Sequence, residues 1–352
     1  MPTCRARAMP AGPNGAAPSQ RACAVRRVLG GALCICLAAC GGGGGGGAAD
    51  SAAAAPPPAK TAAASAQAMV RGPTPLPARK PDLPFVCAGL NIRIYAQVSA
   101  PMKLSFGPDG ALYAGRQGGN RIHRIAPGGG SVAEFGPPMV DPDAVLVDAG
   151  GRISGVPNAL LVGGAGILAA IFPDQSSSVI FSAGFADVND IKFDRAQRLV
   201  FSDNLPQVLV SKGRPPAVLF STPGRPGSLA VDDHNRIYVA LADGTIRMYG
   251  ADGSMADHPF ASGLAGLDTY LAFGSGRGGF GNALYVLNGS DLLRFDQRGR
   301  ATLVGSGFGI GPTSGTGFVF GPDDALYLSD YQKNRVLRIA RGPGGLEQCQ
   351  RR

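Results

Sequence analysis

From Asn91 onward, apolar and polar positions alternate with period two in short runs, the pattern of half-buried strands. Six times such a run is followed by a turn and a second run. The first runs are KLSFG at Lys103, AVLVD at Ala144, DIKFD at Asp190, SLAVD at Ser228, YLAFG at Tyr270 and GFVFG at Gly317. The second are ALYAG at Ala111, ALLVG at Ala159, RLVFS at Arg198, RIYVA at Arg236, ALYVL at Ala283 and ALYLS at Ala325. A third run follows each second one, as in RIHRIA, QVLVSK and RVLRIA, and a fourth closes most units: VAEF, SVIFS, AVLFS, HPFA and ATLVG. Four short strands recurring about every 40 residues predict a propeller blade, because one such sheet cannot bury both faces without stacking on its neighbours.

The sixth unit lacks a fourth run, whereas NIRIYAQV at Asn91 has strand alternation and no blade of its own. The pattern therefore predicts an all-β, six-bladed propeller of four-stranded blades, closed by an N-terminal strand that completes the last blade and leaves no open edge there. Closure makes neighbours of two nearly identical phrases, FGPDGALYAGRQGGNRIHRIA from Phe106 and FGPDDALYLSDYQKNRVLRIA from Phe320.

Upstream the pattern changes. Arg26 and Arg27 precede an apolar run from Val28 to Ala39, too short for a permanent bilayer span and suited to a secretory signal, with the start at Met1 or Met9. Leu37-Ala38-Ala39-Cys40-Gly41 resembles the lipobox of bacterial lipoproteins, which implies a lipidated Cys40 after cleavage. Seven glycines and Ala/Pro-rich sequence follow, a composition that cannot offset its ordering entropy and reads as a tether. The expected organisation is a signal at 1–39, lipidated Cys40 and tether at 40–85, and a propeller at 86–350. By resemblance to lipoprotein sorting rules, Gly41 points to the outer membrane, with the folded body in the periplasm.

Of seven cysteines, only Cys87 and Cys349 remain once the signal and Cys40 are set aside. In an oxidising compartment this pair is expected to form a disulfide across the closure. The formal charge is +9, of which five arginines lie in residues 1–39 without any acid, leaving +4 for the rest. No basic face interleaved with aromatics or nucleic-acid module accompanies that modest charge, so nucleic acid is not an expected partner. With 45% hydrophobic and 16% charged residues the chain can bury a large core. It is expected to act as a monomer.

GGNRIHRIAPGG and SDYQKNRVLRIA resemble the NHL repeat, and the whole pattern is similar, more loosely, to the senescence marker protein/gluconolactonase superfamily of six-bladed propellers. Such propellers serve as lactonases, lyases, dehydrogenases and binding platforms, so function must be read at the axis. Aligning the first runs puts Met102 with Lys103, Asp143 with Ala144, Asn189 with Asp190, Gly227 with Ser228, Thr269 with Tyr270, and Thr316 with Gly317 at the channel mouth. Asp143, Asn189 and Asp190 offer oxygen ligands for calcium or another divalent cation, while Lys103 and Tyr270 are the mouth candidates for a catalytic role.

The resemblance to the lactonases implies a metal held by a Glu, two Asn and an Asp. This chain has no Glu at Met102 or Lys103, and Gly227 and Ser228 cannot replace an Asn. The quinone-dependent sugar dehydrogenases require a central His, yet His123, His234 and His258 fall on a third strand, a turn and a fourth strand, where surface positions are expected. GSGRGG from Gly274 matches a dinucleotide fingerprint by letters but joins strand to strand. The expected function is an envelope-anchored binding or interaction platform for a protein, glycan or small ligand, lining its mouth as a solvated funnel. The alternative is a divergent metal-dependent, lactonase-like hydrolase or lyase with its site at the mouth.

Overall fold

A computed structural model describes residues 82–342, except 214, 278 and 312–315, together with Leu346. The chain divides into two units, Met1–Pro75 and Leu76–Arg352, and every described residue belongs to the second. The predicted signal, Cys40, the tether up to residue 81, and Cys349 lie outside the described residues.

The described part is an all-β propeller of six blades. The innermost strands are Pro101–Phe106, Ala144–Asp148, Asp190–Phe193, Pro226–Val231, Thr269–Phe273 and Phe318–Phe320, each opening one sheet. Apart from the two N-terminal strands, which join the fifth and last blades, the strands of each blade are antiparallel and consecutive, so tight turns suffice to connect them. Six clusters of buried apolar side chains form the core, and they join neighbouring blades. The cluster of Tyr95, Leu104, Leu112, Ile125 and Tyr327 links the first blade to the last.

Closure is by the strand Leu90–Gln97, which pairs with Arg335–Arg341 on the outside of the last blade in the register Asn91↔Ala340, Ile92↔Ile339 and Ile94↔Leu337. The blade-to-blade seam is fastened at the axis, where the Ser329 hydroxyl donates to the Met102 carbonyl oxygen. A short strand ahead of the closure, Phe85–Val86, adds a fifth strand to the fifth blade by pairing with Ala301–Ser306. Two residues are too few to show alternation, and the sequence pattern did not predict this strand.

The fourth blade differs in the opposite direction. HPFA, expected as its outer strand, makes only one isolated bridge, Ile246↔Ala261, with a second, Tyr249↔Met255, formed by the residues before it, and the blade has three regular strands. Pro259 supplies the reason, because it has no N–H to donate to the ladder. Phe260 and Ala256 still donate to the Ile246 and Met248 carbonyls at 2.8 and 2.9 Å, so the edge is covered without a regular strand.

The repeated Gly-Pro-Asp phrase is a turn device. Asp109 accepts the Ala111 N–H at 3.1 Å and pairs with Arg124 of the third strand at 2.7 Å; Asp323 accepts the Ala325 N–H at 3.3 Å and pairs with Arg338 at 2.7 Å. A Cβ on Gly321 would meet the Tyr327 ring at 2.5 Å, and one on Gly107 would meet the Tyr113 ring at 3.0 Å. Glycine is therefore required for the aromatic to lie over the turn.

Candidate functional site

The inner strands enter the axis in a common register. Their first axial level holds Lys103, Ala144, Asp190, Ser228, Tyr270 and Gly317; period two puts Ser105, Leu146, Lys192, Ala230, Ala272 and Val319 on the second. The expected solvated funnel does not describe the first level. Met102, Lys103, Asn189, Asp190, Ser228, Thr269, Tyr270 and Thr316 are all buried.

Four residues form a polar knot there. Asp190 Oδ1 accepts from the Ile191 N–H at 3.0 Å and from the Lys192 ammonium, while Oδ2 accepts from the Ser228 hydroxyl at 2.8 Å and the Leu229 N–H at 2.9 Å. Both oxygens are thereby occupied, and the Ser228 oxygen in turn accepts the Leu271 N–H at 3.0 Å. Asp190 thus joins three adjacent blades instead of presenting a free metal ligand. Asn189 is likewise engaged, its amide donating to Asn204 Oδ1 and the Pro226 carbonyl oxygen, each at 3.2 Å.

Lys103 and Tyr270 meet at the axis. The Lys103 ammonium donates to the Thr316 carbonyl oxygen at 3.3 Å and lies 4.7 Å from the centre of the Tyr270 ring. Burial pulls the ammonium down to about 8, with Lys192 adding to the effect and Asp190 and Asp143 opposing it. Burial pushes the Tyr270 phenol up to about 12, assisted by Asp190. For Lys192 burial again opposes the charge, but Asp190 and Tyr270 outweigh it and hold this ammonium above its ordinary value. Lys103 is 2% exposed and Tyr270 5% exposed, and the Tyr270 side chain also borders a cavity further along the axis.

Asp143 is the exception. It stands immediately before its inner strand, is only partly buried, and its Oδ1 is shielded from solvent without a hydrogen-bond partner among the described residues. Burial, then the neighbouring Asp141 and Asp187, raise its carboxyl to about 7 against the pull of Lys103. Asp187, also partly buried with an unpartnered Oδ1, is raised by burial and by Asp141, with Arg225 and Asn204 acting the other way. Asp141 and Asp187 come from loops leading into the second and third blades and were not among the residues the alignment singled out. A carboxyl able to exchange a proton near neutral pH is what general acid–base chemistry requires.

The divalent site predicted on Asp143, Asn189 and Asp190 does not fit this arrangement. Asp190 is saturated, and among the described residues no group of three His, Cys, Asp or Glu side chains stands close enough to hold a metal ion. The orphaned oxygens of Asp143 and Asp187 would welcome a cation, but no third acidic partner completes a shell. The histidines also differ from expectation in one case. His234 and His258 are exposed, whereas His123 is buried on its third strand, with Nε2 lacking a partner and burial lowering its proton affinity. GSGRGG lies between the strands Thr269–Phe273 and Leu284–Asn288, with no helix to receive a pyrophosphate.

That cavity, of about 340 Å³, is lined by Lys192, Tyr270 and largely apolar side chains. Lys192 was not singled out in the sequence, although the alternation that placed Asp190 on the axis places Lys192 there as well.

No protein-family model and no curated protein sequence matches the chain. Solved structures do. A gluconolactonase from Xanthomonas campestris superposes with a TM-score of 0.59 at 16% identity, over 73% of this chain and 91% of its own. A putative gluconolactonase gives 0.57 at 17% identity over 75% and 96%. A pyrroloquinoline quinone-bound aldose sugar dehydrogenase from Streptomyces coelicolor gives 0.54 at 15% identity over 73% and 99%. These likenesses identify the architecture: the chain folds as a six-bladed β-propeller similar to those of the senescence marker protein/gluconolactonase kind.

Proposed function

We propose that the protein is a lactonase-like hydrolase of small molecules, with Asp143 as the general base where the second blade's inner strand begins. The observation that carries this reading is the Asp143 carboxyl itself, partly exposed, with a shielded unpartnered oxygen and a proton affinity brought to about 7. Its ionised form takes a proton from water as the water oxygen attacks an acyl carbon. The acyl–oxygen bond then breaks, and the proton passes to the departing alkoxide. The Lys103 ammonium steadies ionised Asp143 through space, and Asp141 with Asp187 keeps the carboxyl basic enough to accept the proton. The gluconolactonase names of two similar structures support a lactone as substrate. A purely passive platform gains no support from these neighbours, whose names are those of enzymes.

In the same reading Cys40 is lipidated and the protein acts as a monomer in the periplasm at the outer membrane, as expected from the sequence of residues 1–85. The disulfide between Cys87 and Cys349 belongs to it too: Cys87 is buried in a cluster that Leu346, three residues before Cys349, also packs against. The test is hydrolysis of a panel of lactones and esters by the wild type and Asp143→Asn in metal-free buffer. Turnover by the wild type that Asp143→Asn lacks supports the proposal; turnover equal in both sinks it.

A further inference from the structure

The cavity lined by the inner strands takes no part in the reading above, which rests on Asp143, a residue outside its lining. Its volume is about 340 Å³, within the range of small-molecule sites. Leu146, Ala230, Ala272 and Val319 form its walls and Phe273 and Phe320 stand among its lining residues; Lys192 is the one charged side chain among them. Ser105 and Ser275 also line it, but the apolar walls offer the many hydroxyls of a sugar few partners for the water they would lose.

The base of the cavity has the opposite character. The Lys192 ammonium has three protons, of which one goes to Asp190 and one to the Tyr270 hydroxyl oxygen at 3.3 Å. The third proton, and that of the Tyr270 hydroxyl, have no acceptor among the described residues. Lys103 donates to the Thr316 carbonyl oxygen and feels both Asp190 and Asp143, whereas Lys192, its side chain 24% exposed, pairs with Asp190 and borders the cavity with a proton to spare. An anion in the cavity would accept from that spare donor in a charge-assisted hydrogen bond. The ion pair with Asp190 keeps Lys192 charged throughout the physiological range.

We infer that this cavity binds an amphiphilic monoanion, a medium-chain or aryl carboxylate whose carboxylate accepts from Lys192 and Tyr270 and whose apolar body fills the channel between the inner strands. A cationic amphiphile would be repelled by the Lys192 ammonium at the base. A neutral one would leave both donors unpaired.

The experiment uses the full chain in unacylated form with dansyl-undecanoate as a fluorescent probe, competed by decanoate, decanol and decylamine. Saturable binding is expected, with decanoate displacing the probe at least about tenfold better than decanol or decylamine, the worth of one charge-assisted contact. Lys192→Met should erase the preference for decanoate over decanol. Ala272→Phe should abolish probe binding by filling the channel, and Asp143→Asn should leave it unchanged. Because Lys192→Met strands Asp190 and can compromise folding, Ala272→Phe provides the independent check. Absence of saturable binding, equal competition by decanol and decanoate, or unchanged binding in Ala272→Phe would overturn the inference.

Discussion

The Lys103 ammonium lies 4.7 Å from the centre of the Tyr270 ring, and Gly317 fills the gap beside them so tightly that a Cβ would come within 3.2 Å of Tyr270 Cζ and 3.1 Å of Lys103 Cδ. Three strands from different blades thus converge on one point of the axis, where the absence of a side chain on one admits the large side chains of the others. Gly317→Ala should therefore overpack the axis and destabilise the protein by about 1–3 kcal/mol. Urea denaturation measures it; a variant as stable as the wild type would show that Lys103 and Tyr270 yield without cost.

Lys103 is expected to cost stability at neutral pH. Its folded value, about 8, lies below the ordinary lysine value of 10.5, so between these pH values the folded state binds fewer protons than the unfolded chain. Stability contributed through this group rises with pH across that window, and below it the buried ammonium exerts its full penalty. Lys103→Met should gain about 1–3 kcal/mol at pH 7 and lose the rise above pH 8. Thermal melts across that range would contradict the account by showing Lys103→Met less stable at neutral pH.

Asp143 carries the opposite dependence. Its folded value of about 7 stands above the ordinary aspartate value of 3.8, so the folded state holds the extra proton between them and stability falls as pH rises through that interval. Above pH 7 the ionised carboxylate costs up to about 4 kcal/mol, which Asp143→Asn removes. Denaturation at pH 4 and pH 8 should show the variant's advantage at the higher pH alone. An equal effect at both would assign it to packing.

Asp190 should behave as a structural ion. Asp190→Ala removes the acceptor of four donors and strands Lys192, with an expected loss of about 3–5 kcal/mol. Calcium should leave the wild-type melting temperature unchanged. A calcium-dependent rise that Asp190→Ala abolishes would restore this residue as a metal ligand.

The blades were legible because alternation and turn chemistry recur together, and the Gly-Pro-Asp phrase is tied to contacts within its own blade, Asp109 to Arg124 and Asp323 to Arg338. The closing strand was legible for the same reason: Ile92 and Ile94 alternate like any blade strand. Phe85–Val86 was not, being too short for a period, and HPFA looked like a strand because its apolar residues hide the missing N–H of Pro259. At the axis, register placed Lys103, Asp190 and Tyr270 correctly but said nothing of what each would touch. Ser228 and the Leu229 N–H come from the next blade, and that approach turns Asp190 from a ligand into a fastening. Asp141 and Asp187 sit on loops outside the repeat, where no periodicity marks them. Lys192 was readable by counting two positions onward from Asp190.

The central claim is that Asp143 accepts a proton during hydrolysis, and the most direct test is the pH dependence of kcat/KM on the best lactone or ester. The account predicts a rise with pH that levels off above an inflection near the Asp143 value of about 7 and is absent in Asp143→Asn. An activity whose pH profile is identical in the wild type and Asp143→Asn would contradict it.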